Sequence, residues 1–449
     1  MNYYRLFLVL FFPVLLCTAV SAQTEGDWSG RLSVGKASLT LVLHISKDRC
    51  TLDSPDQNAK DIAATLLHLS TDSVSLAFPL INASYQGHLA DDRLLGTFVQ
   101  HGQSLPLNLQ RGEQKRLRPQ TPQPPFPYSV QSVNFFNPDD GAMLSGTLSL
   151  PEGFTGNTPV LLMITGSGLQ NRDEELFGHK PFFVIADHLA RHGIATLRYD
   201  DRGTAYSTGN VKHATTATFL QDALAGIRCL RDRGFKRVGA LGHSEGGTIA
   251  LLLAAQKQID FAVTLAAGAT SGLQLLIDQN RALLQQSGMT PDTVEAYCLS
   301  LEQVLLKTVQ HYRPDISFPI ETLLDSLPQA KILSAGLRQN LKAVARQVEQ
   351  QPWMRHFITI DPIPEISKIR CPLLALGGDK DLQVVVHPNF NALRRHLPRN
   401  KRSRLITYPD LNHLFQTCQT GLPDEYGQIE ETIAPAVLDD IVRWVLSLK

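Results

Sequence analysis

The chain lacks an excess of charge of either sign. Lys and Arg together number 42, Asp and Glu also number 42, and the formal net charge is zero. Binding a polyanion by counterion release needs a basic surface, so the balance argues against a nucleic-acid partner. The nearest basic patch, Lys115–Arg118, reads as part of a solvated linker. Cysteine is scarce: Cys17 falls in a leader, and Cys50, Cys229, Cys298, Cys371 and Cys418 form no CxxC pair. That pattern argues against a zinc site or a dense disulfide framework and leaves buried free thiols as the default. A single disulfide stays open in an oxidising compartment. Beyond residue 22 no stretch is long and apolar enough to cross a bilayer.

The apolar run that does exist lies at the start. Met1–Arg5 is weakly positive, Leu6–Val20 is apolar apart from Pro13, and Val20-Ser21-Ala22 places small residues where a signal peptidase reads. The expectation is a signal peptide over 1–22, cleaved after Ala22, and an exported protein, periplasmic or extracellular. A membrane anchor is the alternative, but about 15 apolar residues are short for a span. Acylation of Cys17 would call for a small residue where Leu16 stands.

What remains is an ordinary globular composition, 43% hydrophobic and 19% charged over 449 residues. At roughly 150 residues per domain it suggests two or three domains. Residues 23–111 hold short β-prone runs separated by turn residues: Trp28–Gly35, Leu39–Ile45, Ser70–Phe78, Ala83–Leu89 and Arg93–Val99. They suggest an antiparallel sandwich or small barrel, serving as a scaffold or oligomerisation unit, or as a glycan- or partner-binding module. Residues 112–127 contain Pro119, Pro122, Pro124, Pro125 and Pro127. Such a stretch cannot continue a helix and favours an extended linker.

From 128 to 449 the pattern changes. Two β-like runs, Tyr128–Asn134 and Ala142–Leu150, precede strands that alternate with helical segments. Strand-like runs are Val160–Thr165, Ile194–Tyr199, Val238–Gly242 and Phe261–Ala266; helical ones are Phe182–His192, Thr216–Asp232 and Gly247–Gln256. This alternation predicts an α/β fold, a mostly parallel sheet flanked by helices on both faces. Residues 270–355 interrupt it with Leu-rich helical periods, a helical insertion. The rhythm resumes at Pro372–Gly377 and Ser403–Tyr408 and closes with a helix over Ile433–Leu448.

Gly242-His243-Ser244-Glu245-Gly246 fits G-x-S-x-G between an apolar strand and an apolar helix, the context a nucleophile elbow requires. A serine there stands on a strained turn. The glycines two residues either side let backbone and helix pack without Cβ clashes. The Glu245 amide, at a helix N-terminus, is aimed where an oxyanion forms. Serine needs a base, and the base an orienting acid, in the chain order Ser, acid, His. Asp381, after the strand ending in Gly377-Gly378, is the candidate acid and Asp379 its rival. His413, in the loop after the next strand, is the candidate base; His387 and His396 are poorer placed. The second oxyanion amide is expected in Thr165–Gln170, at Ser167 with Gly168 and Leu169 close behind. A phosphate loop fails there because no Gly-Lys-Ser/Thr ends the run. The charged loops Gln170–Glu175 and Asp200–Gly203 read as salt-bridge networks, or as places where Arg172 or Arg202 reads a substrate carboxylate.

At these residues the chain resembles the α/β-hydrolase superfamily, and more narrowly bacterial exported esterases and serine aminopeptidase-like hydrolases. The resemblance rests on Gly166–Glu174, Lys180–Gly203, Gly242–Gly247, Leu376–Asp381 and Leu411–Phe415, and spans roughly 128–449. It implies a Ser244–Asp381–His413 triad under a helical cap formed by the insertion, with a small N-terminal all-β domain in front. Ser167 after Gly166, without the His-Gly pair many members carry, is a departure that bears on the oxyanion donor.

The chemistry expected is acyl transfer on a small-molecule ester, small or sugar-linked, without metal or organic cofactor. A peptidase of the aminopeptidase kind would use the same triad but needs an acidic patch for a free amine, for which the insertion offers Glu295, Glu302, Asp315, Glu321 and Asp325. A non-enzymatic binding protein on a hydrolase scaffold is the rival from another class. The pattern sets no oligomeric state.

Overall fold

The computed structural model describes residues 23–34, 37–55, 59–100, 102–112 and 118–448. The expected signal peptide and most of the basic patch lie outside the described residues. The chain divides into two compact units, Met1–Lys115 and Arg116–Lys449.

In the first unit the strands are β1 (Gly26–Val34), β2 (Ala37–Ile45), β3 (Cys50–Ser54), β4 (Ala59–Leu69), β5 (Ser73–Phe78), β6 (Ala83–Ala90), β7 (Arg93–Gln100), β8 (Gln103–Pro106) and β9 (Leu109–Arg111). They run in the order β6-β5-β4-β3-β2-β1-β9-β7, and β6 also pairs with β7. The result is a closed antiparallel barrel, with β8 hung on β7. Of the two architectures expected, the barrel is the one formed. A barrel of about eight strands is just wide enough for side chains to fill it. Trp28, Leu43, Leu76, Phe78, Tyr85 and Leu94 do so, each fully buried. Two buried polar ends are satisfied internally: Trp28 Nε1 donates to the Thr24 carbonyl at 2.8 Å and the Tyr85 hydroxyl to that of Leu94 at 3.3 Å.

The second unit is built on an eight-stranded sheet. Its strands are β10 (Ser129–Phe136), β11 (Met143–Leu150), β12 (Val160–Ile164), β13 (Ala195–Tyr199), β14 (Val238–His243), β15 (Phe261–Leu265), β16 (Leu373–Gly378) and β17 (Arg404–Tyr408). The order is β10-β11-β13-β12-β14-β15-β16-β17; β11 is antiparallel to both neighbours and the strands from β13 onward are parallel. Every residue of β12, β13, β14 and β15 is buried, as sheets covered on both faces require.

The covering helices are α1 (Pro181–Arg191), α2 (Thr216–Asp232), α3 (Glu245–Ala255), α4 (Gly272–Gln286), α5 (Pro291–Gln310), α6 (Ile320–Ser326), α7 (Ala335–Gln350), α8 (Pro352–Thr359), α9 (Ile363–Ile366), α10 (Val386–His396), α11 (Pro423–Tyr426) and α12 (Pro435–Ser447). One face of the sheet packs on Ile227 of α2, Leu253 of α3 and Leu393 of α10. The other packs on Ile185 of α1 and Ile441 of α12. Helices α4–α8 form the insertion between β15 and β16. They carry a core of their own, with Leu301 and Leu305 of α5 against Leu337, Leu341 and Val348 of α7. Ser271, Thr290 and Ser334 cap α4, α5 and α7 by accepting backbone N–H groups. This is the α/β-hydrolase architecture with a helical insertion.

From Arg118 onward the proline-rich stretch is held on this second unit. Arg118 donates to the carbonyls of Phe177, Gly427 and Ile429, and the Gln120 side chain brackets Thr432 and Ile433. Extended prolines leave few internal hydrogen bonds, and these side chains supply external ones.

Candidate active site

Strand β14 ends at His243 and helix α3 begins at Glu245, leaving Ser244 alone in the turn with φ 52° and ψ −117°. A non-glycine residue there is strained and persists only where its surroundings over-determine it. The surroundings do so by contact. A Cβ on Gly242 would lie 2.0 Å from the Gly246 carbonyl oxygen, and one on Gly246 would lie 2.1 Å from that of Ile164. Strand, turn and helix can approach this closely only without side chains at those positions. The Ser244 amide donates to the Leu265 carbonyl at 2.8 Å, tying the turn to β15.

Asp381 and His413 come from the loops after β16 and β17. Gly378 lets the two loops meet, since a Cβ there would lie 2.1 Å from the Leu411 carbonyl oxygen. Asp381 Oδ2 lies 2.8 Å from His413 Nδ1, while Oδ1 accepts the amides of Gln383 and Val384 at 2.8 and 2.9 Å. Both residues are buried. A carboxylate on Nδ1 places the proton there and leaves Nε2 as the acceptor. Among the described residues Nε2 has no hydrogen-bonded partner, and none joins it to Ser244. Such bonds are often long in unliganded sites and tighten with substrate. Asp379 takes another part: its Oδ1 accepts the Asp410 amide at 2.7 Å. His387 and His396 are exposed on α10.

The loop carrying Ser167 runs beside this turn. Gly166 packs so closely that a Cβ there would lie 3.2 Å from Ser244 Cβ. Its amide is already taken by Glu174 Oε1 at 2.7 Å. Ser167, Gly168 and Leu169 are exposed. The Glu245 amide heads α3, among the first N–H groups that a helix leaves without an internal partner. Asp201 holds both ends of the loop, accepting from the Thr165 hydroxyl at 2.9 and 3.0 Å and from the Gln170 amide at 2.8 Å. Burial pushes Asp201 up to about 7, against the pull of these donors.

The charged loops form the salt-bridge network expected of them, and Arg172 and Arg202, the alternative readers of a substrate carboxylate, are engaged in it. Arg172 grips Asp200 through Nε at 3.0 Å and Nη2 at 2.5 Å and also reaches Thr147 and Ser145. Arg202 makes a two-pronged pair with Asp222 at 2.7 and 2.6 Å and a further bond to Asp140 at 2.6 Å. A buried guanidinium must be matched by carboxylates, and these are matched from within. Of the five acids considered for a patch on the insertion, three sit in local pairs: Glu295 with Arg281, Glu321 with Lys342, and Asp325 with Arg338.

Sequence reasoning missed the side chains either side of the serine. Glu245 turns its carboxylate inward, accepting from the Thr216 hydroxyl at 2.5 Å and from Trp353 Nε1 at 2.9 and 3.1 Å. Trp353 lies on α8, so this contact fastens the insertion to the turn. Burial raises the Glu245 pKa, and the hydrogen bonds from Thr216, Trp353 and Ser167 offset only part of that. His243 bridges Glu174 and the His413 carbonyl at 2.9 and 3.0 Å. The only signal for either was position beside Ser244 in the motif.

Strand order and strained serine together define a serine hydrolase of the α/β-hydrolase superfamily. Residues 140–411 match the X-Pro dipeptidyl-peptidase (S15) family, and the chain belongs to it. Esterase EstD of Thermotoga maritima is 24% identical over 308 residues, 68% of this chain and 65% of that relative's length. Among solved structures, the Pyrococcus furiosus esterase Pf2001 aligns with a TM-score of 0.41 at 14% identity, covering 71% of this chain and 93% of that one. The proline iminopeptidase of Mycobacterium smegmatis aligns with a TM-score of 0.41 at 15% identity, covering 71% and 100%.

Proposed function

We propose that the protein hydrolyses carboxylic esters through an acyl-enzyme, with Ser244 as nucleophile, His413 as general base and acid, and Asp381 as the group that orients the imidazole. The carrying observation is the strained Ser244 turn at the same sheet edge as the buried Asp381–His413 pair. Ser244 Oγ attacks the ester carbonyl while His413 Nε2 takes its proton. The amides of Ser167 and Glu245 donate to the oxyanion. Collapse expels the alcohol, which receives the proton from His413. Water, deprotonated by the same nitrogen, then releases the acid and restores Ser244. Each oxyanion donor is worth about 10²–10³ in kcat. The scheme requires no cofactor, and its substrate is a small-molecule ester, as the name of the EstD relative suggests. The pattern of residues 1–22 supports export to the periplasm or beyond.

A peptidase reading is favoured by the family's description as X-Pro dipeptidyl-peptidases. The pairing of Glu295, Glu321 and Asp325, three of the five candidate acids, weighs against an acidic patch for a free amine. The test compares the chain from Gln23 with its Ser244→Ala variant on p-nitrophenyl esters of graded length and on aminoacyl p-nitroanilides. Ester turnover that vanishes in the variant is the expected result. Preferential anilide turnover would make it a peptidase, and turnover of neither, without labelling by a phosphonate, would refute both readings.

A further inference from the structure

His243 occupies the variable position before the serine, where the chemistry of acyl transfer asks for nothing in particular. Its ring is nonetheless buried and bonded at both nitrogens. Nδ1 lies 2.9 Å from Glu174 Oε1, and Nε2 lies 3.0 Å from the His413 carbonyl oxygen. The same Glu174 oxygen accepts the Gly166 amide at 2.7 Å. A carbonyl oxygen can only accept, and a carboxylate oxygen that already accepts from an amide meets Nδ1 as an acceptor too. An imidazole with acceptors on both sides satisfies them only when both nitrogens carry protons. With Glu174 ionised, the ring is held as an imidazolium paired to it.

We propose that His243 is a positioning residue: as an imidazolium held by Glu174, it ties the loop of Gly166 and Ser167 to the loop that carries His413, and so fixes the oxyanion donor and the base relative to Ser244. The inference rests on the acyl-enzyme reading above and deepens it. Three segments far apart in sequence meet at one ring: the loop after β12 through Glu174, the end of β14 through His243 itself, and the loop after β17 through the His413 carbonyl. The His243 and His413 rings lie 4.7 Å apart, centroid to centroid, so the tie acts directly beside the base. Around the pair the walls are apolar, among them Phe182 and Ile185 of α1, Leu265, Leu414 and Phe415. The charged or titratable groups facing the ring are Glu174, His413 and Asp381.

Loss of the ring's second proton breaks the tie. A neutral imidazole has one N–H for two acceptors, so either Glu174 or the His413 carbonyl is released. Burial opposes the charged ring, but the Glu174 charge and hydrogen bond outweigh it, with the His413 carbonyl and Asp381 adding to them, and the pKa stands above the usual imidazole value. The tie is thus intact through the ordinary imidazole range and is lost as pH rises through the raised value.

The test uses steady-state ester hydrolysis over pH, phosphonate labelling and thermal melting for the wild type, Glu174→Gln, His243→Asn and His243→Gln. Asn keeps a donor near Nδ1 and Gln one near Nε2, so each variant retains one arm of the tie. Misplacement on the scale of 1 Å costs roughly 10²-fold in rate. The expected result is a kcat loss of about that order in both His243 variants, with KM little changed and melting still cooperative. Wild-type kcat should fall at alkaline pH toward the Glu174→Gln value, and Glu174→Gln should lack that fall because its ring is already neutral. An alkaline fall identical in wild type and Glu174→Gln overturns the proposal, even if neither His243 variant folds. Labelled, folded His243 variants with wild-type kcat overturn it as well, while leaving the acyl-enzyme reading intact. A wild type that takes no phosphonate overturns both.

Discussion

Gly246→Ala tests the geometry of the serine turn most directly. The new Cβ would sit 2.1 Å from the Ile164 carbonyl oxygen and 2.4 Å from that of Thr165. Both are backbone atoms, so no rotamer change relieves the overlap. The end of β12 and the start of α3 must part by roughly 1 Å before the contact becomes tolerable. Thr165 leads directly into Gly166 and Ser167, so the displacement moves the proposed oxyanion donor away from Ser244. A misplacement of about 1 Å costs roughly 10²-fold in rate, or about 2.7 kcal/mol of barrier. Overpacking should also take about 1–3 kcal/mol from stability. The assay is kcat and KM on a p-nitrophenyl ester, with urea denaturation alongside. Gly336→Ala in the exposed face of α7 serves as the control. Only Ser334 Oγ lies near its Cβ, at 3.9 Å, and helix propensity favours the change by about 1 kcal/mol. Gly246→Ala with wild-type kcat and an unchanged denaturation midpoint would refute the contact argument.

Asp381→Asn should lower kcat by about 10⁴, because the amide no longer holds the imidazole in the required tautomer. Asp379→Asn should cost far less, and the reverse order would exchange their roles. Arg202→Met should destabilise by about 3–5 kcal/mol in urea, because it strands the buried Asp222 carboxylate, and should leave KM for acidic esters unchanged; a selective KM rise for those esters would restore the substrate-reading role. Asp201 has a folded-state pKa raised to about 7 by burial, so its favourable contribution is complete below the ordinary aspartate range and is lost as pH rises toward 7. The stability of Asp201→Asn relative to wild type should therefore grow between about pH 4 and pH 7, and melting curves with a constant difference across that window would contradict the burial argument.

The parts of this molecule that were readable in the sequence are those whose signal is local. A serine elbow announces itself in five consecutive residues, and Asp381 and His413 each follow an apolar strand by a few positions. Strand β4, Ala59–Leu69, went unread because Ala, Lys, Asp and Leu dominate it, residues that favour helix or avoid strands. Cross-strand pairing with β3 and β5 overrides that preference, with register shifts near Leu52–Ser54 and Leu66–His68. Glu174 and His243 stand 69 positions apart and meet only once the sheet is assembled. In the sequence Glu174 was one acid in a charged loop, and His243 one letter inside a motif. Arg172 and Arg202 were ambiguous for the same reason, since pairing with Asp200 or Asp222 is a tertiary fact.

The electrostatics of the Thr165–Gln170 loop follow from how it is held. It belongs to no helix or strand, so its polar groups must be satisfied by side chains. The acceptors used are carboxylates: Glu174 on the Gly166 amide, Asp201 on the Thr165 hydroxyl and Gln170 amide, and Glu245 interacting with the Ser167 side chain. Carboxylates accept strongly and fix the loop, but ionised carboxylates beside a developing oxyanion would oppose it. Each is relieved in its own way. Burial raises the pKa of Asp201 to about 7 and raises that of Glu245, against the hydrogen bonds each accepts. Glu174, whose oxygen faces both Gly166 and His243, is answered by the imidazolium. The buried histidine inside the serine motif is then what allows a carboxylate to hold the loop without setting an uncompensated negative charge behind the oxyanion site.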